Sequence, residues 1–220
     1  MGTQADEPQG GTGRRAAWAA ATLAGATLAA GALVMLVDGL VRPTIEARER
    51  ARQAEAFESL LAGVPHDNDV LADVTWVRDP ELLGTTEPVP VHRVRRAGRP
   101  VALVIEPVAP DGYVGAIALR IAVDVDGRIL GTRVLRHHET PGLGGLIDLA
   151  SSHWMDGFTG RSLGSPTSDR WQVRKDGGDF DQFTGATVTP RAVVRAIAAC
   201  LLYVERHRDE LYAAPARMTP

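Results

Sequence analysis

The residues best suited to chemistry lie in one short segment, residues 181–187, reading Asp181-Gln182-Phe183-Thr184-Gly185-Ala186-Thr187. Thr189-Pro190 follows shortly after and is a helix-start pattern, a capping hydroxyl and then a proline where its missing N–H is not needed. Thr187 therefore falls just before a helix N-terminus. Backbone N–H groups without partners and the positive end of the helix dipole favour a phosphate at such a place. Gly185 and Ala186 remove side-chain bulk where a ligand would pass, and the Thr187 hydroxyl can carry a phosphoester. On its chemistry alone the segment also reads as a plain capped loop.

A second segment, residues 138–147 (HETPGLGGLI), holds Gly142, Gly144 and Gly145 close together. Such spacing lets a backbone turn sharply or approach a ligand, and Glu139 and Thr140 offer hydrogen-bonding groups beside it. A simple strand-to-helix turn accounts for it too. His137 and His138 are adjacent, so on a strand they point to opposite faces and make a poor pair of metal ligands. Cys200 is the sole cysteine, which excludes an intrachain disulfide, a CxxC redox pair and multi-cysteine iron–sulfur or zinc sites. It sits on the apolar face of a helix and reads as a buried small residue. Trp154 and Trp171 could shield a bound aromatic ring, with core packing the simpler reading. No serine or cysteine stands with His and Asp in a recognisable hydrolase arrangement.

These segments need elements to position them. The chain has 220 residues, 45% of them hydrophobic and 23% charged, with a formal net charge of −3. That composition suits one ordered domain with extensions and lacks the concentrated basic surface that nucleic acid requires. Basic residues are almost all arginine, with Lys175 the sole lysine. Residues 16–37 carry no charge over 22 positions, and at about 1.5 Å per residue a helix of that length crosses a hydrocarbon core of about 30 Å. A transmembrane anchor is expected over residues 14–40, preceded by a cytoplasmic tail, residues 1–13. Signal-peptide apolar regions are shorter, about 7–15 residues, and end at a small-residue cleavage site that is not evident here. Small residues recur four apart at Ala20/Ala24, Gly25/Ala29 and Thr27/Gly31, a face that lets membrane helices approach closely. Arg42, Arg48, Arg50 and Arg52 follow the helix and, counted literally, would hold the C-terminal part in the cytoplasm.

Beyond Pro43, Thr44 is a plausible cap for a charged helical stalk within residues 41–65, and the prolines of residues 66–90 suggest a connector or irregular lobe. Residues 101–108 are strand-like. Ile117, Leu119, Ile121, Val123 and Val125 alternate with polar positions such as Arg120 and Asp124, and Asp126-Gly127 turns the chain into a partner strand over residues 128–136. A helix is expected from Pro190 to about His207, with Val193, Ile197, Cys200, Leu201 and Val204 on one face. The fold class is α+β, an antiparallel sheet with packed helices preceded by one N-terminal transmembrane helix. Its ligand domain spans residues 91–210, with a tail at residues 211–220.

Taken in order, HETPGLG (residues 138–144) and DQFTGAT (residues 181–187) resemble the paired motifs of one FMN-binding domain family. That domain is shared by the G subunit of the Rnf electron-transport complex and the C subunit of the sodium-pumping NADH:quinone oxidoreductase. The second motif is similar to the flavinylation pattern Asp-x-x-Ser/Thr-Gly-Ala-Thr, whose last threonine bears FMN through its phosphate. Asp111-Gly112-Tyr113 ahead of the alternating strand, the Asp126-Gly127 turn and the single anchor agree with it. Chain length favours the Rnf protein. The resemblance implies a covalent FMN on Thr187 placed by a flavin transferase from FAD, with Asp181 part of the signal that the transferase reads. It implies flavin contacts at Glu139, Thr140, Gly142, Leu143, Thr184, Gly185 and Ala186. Lys175, six residues before Asp181, is near enough in sequence to approach the phosphate or ring and reads equally as a solvated lysine. The resemblance also implies membrane subunits as partners and a flavin domain on the periplasmic side of a bacterial inner membrane. The C subunit of a sodium-pumping NADH:quinone oxidoreductase and a flavin-free membrane-anchored binding or assembly protein remain the alternatives.

Overall fold

The computed structural model describes residues 11–61, 63–148 and 150–217. The tail expected for residues 1–13 lies outside the described residues as far as residue 10, and residues 218–220 of the C-terminal tail do so too. Two compact units are present, Met1–Arg52 and Gln53–Pro220.

Helix α1 runs over Gly11–Leu61. Within the first unit it exposes Leu23, Leu28, Leu33, Val34, Met35, Leu36, Val37 and Leu40. A helix that is apolar on all sides, without a protein core to bury it, suits a lipid surround, and this one holds a stretch long and apolar enough to cross a membrane. The cap expected at Thr44 is not formed. The backbone is helical through Pro43 and Thr44, which makes anchor and stalk one helix.

The second unit is a six-stranded antiparallel sheet with helices. Its strands are β1 (Val74–Val77), β2 (Val89–Arg96), β3 (Arg99–Ile105), β4 (Val108–Ala109), β5 (Ile117–Asp124) and β6 (Ile129–Arg136). Their order is β1-β2-β3-β5-β4, with β6 also on β5. The pairs Ile105↔Ile121 and Val108↔Ala118 keep one register, so β3 and β4 run along the same side of β5 while β6 holds the other. The hairpin between β5 and β6 turns at Asp126-Gly127 as expected. Asp124 Oδ1 accepts the N–H groups of Asp126 and Arg128 at 2.9 and 2.8 Å. Val125 lies past the end of β5 in that turn and is exposed, so it does not continue the apolar face.

Alternation sends β5 side chains to two cores. Ile117, Leu119, Ile121 and Val123 face the long helix α3 (Val188–Ala213), whose Val193, Ile197, Cys200, Leu201 and Val204 are buried against them. Ala122 joins Val94, Ala102 and Val104 on the opposite face, under Phe57, Leu60 and Leu61 from the last turns of α1. A fully buried Leu or Ile contributes about 1.5–3 kcal/mol, so packing on the sheet, more than helix propensity, holds α3. Arg120 pairs with Glu106 at 2.6 Å and lies 4.3 Å over the Phe57 ring.

Residues 66–90 are more ordered than a connector. They supply β1 and the short helix α2 (Pro80–Leu83), whose cap Asp79 accepts from the Leu82 N–H at 2.9 Å. The prolines there mark strand and helix starts. At the far end of α3, Arg93 is 2% exposed and pairs with Asp73 at 2.6 Å, and it donates to the Ala214 carbonyl. Arg95 reaches the Tyr212 carbonyl at 2.7 Å. The following residues strap onto β1, with the Arg217 N–H donating to the Val74 carbonyl at 2.7 Å and Trp76 Nε1 donating to the Arg217 carbonyl at 3.0 Å.

Candidate functional site

Three loops meet at the start of α3. The first leaves β6 as His137 to Gly145. Glu139 is 4% exposed, and its carboxylate is used twice. Oε1 accepts the Val114 N–H at 2.9 Å, and Oε2 accepts the Thr189 hydroxyl. The Glu139 N–H donates to His137 Nδ1 at 3.1 Å, which leaves His137 Nε2 facing Asp148 at 3.5 Å. The Thr140 carbonyl takes the N–H groups of Leu143 and Gly145, at 3.1 and 2.9 Å, closing the turn into a 3-10 turn at Gly144–Ile147. At Gly144 a Cβ would fall 2.5 Å from both Glu139 Oε2 and Thr189 Oγ1, so only glycine lets the carboxylate and hydroxyl meet.

The second loop carries residues 181–187. Trp154 Nε1 donates to the Asp181 carbonyl at 2.9 Å, and its ring meets Phe183 edge-on at 5.3 Å between centroids. Gln182 Oε1 accepts the Lys175 N–H at 3.2 Å. A turn then closes between the Phe183 carbonyl and the Ala186 N–H at 3.1 Å, with Gly185 at φ 80, the left-handed position where such turns require glycine.

Helix α3 starts at Val188, earlier than the Thr189-Pro190 pattern predicts, and its cap residue is Thr187. Thr189 is not the cap because its hydroxyl is spent on Glu139. Thr187 takes helical angles, φ −76 and ψ −25, and its side chain makes no capping hydrogen bond. The hydroxyl is half-buried and uncommitted at the end of a 26-residue helix. In the first turn the N–H groups of Val188 and Thr189 have no intrahelical acceptor, and Pro190 has no N–H to offer.

The third loop, residues 111–115, leads into β5. Asp111 pairs with Arg195 of α3 at 3.1 Å, and Val114 is tied to Glu139 as above. Together the loops enclose a cavity of about 150 Å³. Of the residues expected at the site, Glu139, Thr140, Leu143, Gly185, Ala186 and Thr187 line it. Gly142 and Thr184 are exposed in the same two turns and do not line it. Asp181 is exposed and pairs with Arg174 at 3.0 Å. Lys175 is not brought to the cavity. It lies exposed in a 3-10 turn, Arg174–Asp176, that Arg191 holds by gripping Asp176 at 2.5 and 2.6 Å.

Tyr113, Val188 and Thr189 also line the cavity and are not foreseen there from the sequence, and Gly144, one of the glycines read as letting a backbone approach a ligand, joins them. The Asp111-Gly112-Tyr113 triplet is the available signal for the first. Trp171 is a core residue as read, 5% exposed, and Trp154 is partly buried against the same core. Cys200 is fully buried, and burial pushes its thiol pKa far up. Among the described residues no three His, Cys, Asp or Glu side chains cluster as metal ligands.

The match with known proteins falls on these same loops. A family model described as FMN-binding domain matches residues 112–202, which include all three of them apart from Asp111. Full-length relatives extend the likeness through most of the chain. The G subunit of the ion-translocating oxidoreductase complex of Shewanella amazonensis is 42% identical over 193 residues, 88% of this chain and 90% of that protein. The proteins of that name from Vibrio parahaemolyticus and Vibrio cholerae are 44% and 43% identical, over 88% and 83% of this chain and 92% and 87% of theirs.

Proposed function

The chain belongs to the G-subunit family of ion-translocating oxidoreductase complexes, and on that premise we propose that it is the membrane-anchored electron carrier of such a complex, with FMN held as a phosphoester on Thr187. The observation that carries the attachment site is the Thr187 hydroxyl, uncommitted to capping although it occupies the cap position. A phosphate on that oxygen adjoins the Val188 and Thr189 N–H groups and the positive end of α3, which offset its charge.

FMN, when bound, supplies the electron-transfer chemistry, and the protein supplies position and surroundings. Thr187 fixes one end of the cofactor. Glu139, through Thr189, keeps the first turn of α3 in place beneath it. Thr140, Leu143, Gly185 and Ala186 border the space that the ribityl chain enters. Attachment is a phosphoryl transfer: Thr187 Oγ1 bonds to the flavin-side phosphorus of FAD, loses its proton, and AMP leaves. A separate flavin transferase performs it, with the exposed Asp181 within reach as part of its signal.

Other membrane subunits are the partners, and α1 is the membrane segment. The flavin domain lies on the periplasmic side, a placement that rests on the resemblance and opposes the arginine count after the helix. One introduced surface cysteine tests it, since buried Cys200 is a poor competitor for thiol reagents. Labelling in intact cells supports the placement, and labelling only after lysis overturns it.

The attachment is tested by expressing the chain with a flavin transferase and looking for flavin fluorescence that stays with the denatured polypeptide. Wild type should carry it and Thr187→Ala should not. Equal fluorescence in both overturns the phosphoester on Thr187, and none in wild type overturns covalent attachment and leaves the flavin-free binding protein as the better reading.

A further inference from the structure

The cavity beside Thr187, about 150 Å³, is small against the roughly 300–1,000 Å³ of pockets that enclose a whole ligand of drug size. It has room for the phosphate end of FMN and not for the three-ring isoalloxazine as well. Given the attachment proposed above, on which this inference rests, the ring must lie on the rim.

That rim is apolar. Tyr113 is 72% exposed, Val114 50%, Leu143 45% and Val188 43%. They come from two of the loops and the first turn of α3, and in the unit from Gln53 onward the other exposed large apolar side chains among the described residues, Leu135 at 41% and Val125 at 37%, are less exposed than any of the four. Clustering of exposed apolar groups around one cavity marks a surface with an occupant. The Tyr113 loop is held on both sides, by Asp111 on Arg195 at 3.1 Å and by the Val114 N–H on Glu139 at 2.9 Å. An aromatic side chain left exposed on a braced backbone is presented for contact, as a preorganised site demands.

We propose that Tyr113 is a flavin-contacting residue which, with Leu143 and Val188, seats the isoalloxazine of the FMN carried on Thr187. An aromatic ring offers a face for offset stacking, and Leu143 and Val188 add apolar contact. The phenol is also electron-rich, so a tyrosine in contact quenches flavin fluorescence.

The test uses the full chain loaded with FMN by a flavin transferase, comparing wild type, Tyr113→Phe and Tyr113→Ala at equal flavin content, measured on the denatured polypeptide. In the folded wild type, flavin fluorescence should be well below that of the same chain unfolded. Tyr113→Ala should raise the folded value several-fold and make the flavin more accessible to iodide. Tyr113→Phe should raise fluorescence with little change in iodide access, because the ring remains. Because Tyr113 is mostly exposed, its replacement should leave the fold intact, checked by circular dichroism. Unchanged fluorescence and iodide access in Tyr113→Ala overturn the proposal, as would flavin properties that stay constant while the variant fails to join the other members of the complex. That last result makes the rim a protein-docking face. A wild-type chain without covalent flavin instead overturns the attachment on Thr187.

Discussion

The Thr189 hydroxyl donates to the Glu139 carboxylate across 50 positions of sequence, joining the loop after β6 to the first turn of α3. Both residues are buried, at 1% and 4% exposure. Removing the donor strands a buried acceptor, a loss of about 1–3 kcal/mol and more where the group is charged. Thr189→Val should therefore destabilise the domain by about that much in urea unfolding, and Thr189→Ser should restore most of it. The valine variant should also take up FMN more slowly, because the hydroxyl of Thr187 stands two residues away. Equal stability of valine and serine variants would show that the bond contributes nothing.

Gly144 gives a second, independent measure of the same junction. A methyl there meets Glu139 Oε2 and Thr189 Oγ1 at 2.5 Å, so Gly144→Ala has to push them apart. Overpacking of this kind costs about 1–3 kcal/mol. Gly157→Ala is the control, since its Cβ meets nothing within 4 Å. Thermal melts should show a clear loss for the first variant and little change for the second.

Trp154→Phe keeps an aromatic ring against Phe158 and Phe183 but deletes the Nε1 donor to Asp181. The expected loss of stability is modest, about 0.5–1.5 kcal/mol. The larger effect falls on the loop of residues 181–187. Its amide exchange should quicken, and flavin loading should slow while the rest of the domain keeps its exchange rates.

Asp176 and Arg191 predict a pH dependence. The guanidinium holds the Asp176 carboxyl below its ordinary 3.8. A folded-state pKa below the unfolded value means a stabilising contribution present above about 3.8, lost as pH falls through the folded value. Wild type should melt above Asp176→Asn at neutral pH, and the two should converge in strong acid. The pair is partly exposed, so added salt should narrow the gap as well. A gap that persists at low pH would assign the difference to something other than this ion pair.

Much of this architecture is readable from local pattern. Ile117, Leu119, Ile121 and Val123 alternate, and Val193, Ile197, Cys200, Leu201 and Val204 recur at helical spacing, because each face has one large apolar core to meet. The Asp126-Gly127 turn is equally local. The helix start differs from its pattern by two residues for a non-local reason: Thr189 and Pro190 form a cap pattern, but a buried carboxylate from residue 139 claims the hydroxyl. Tyr113 enters the sequence reading only within the Asp111-Gly112-Tyr113 triplet, because its exposure beside cavity residues distant in sequence is visible in the structure alone. Lys175 is drawn to the site by proximity in sequence, whereas its turn is fixed elsewhere by the Asp176–Arg191 pair. Strand β1 and helix α2 are hidden among prolines that here begin elements.

The strap formed by Arg217 on Val74 bears on how the protein can be handled. Strand β1 is one outer strand of the sheet, and an unprotected outer strand recruits strands from other molecules. Chains ending before Ala214 would bare that strand and leave the Arg93 cation without its carbonyl partner. Such truncations should purify as soluble aggregates by light scattering, while tags of similar bulk joined after the strap should leave the chain monodisperse in detergent.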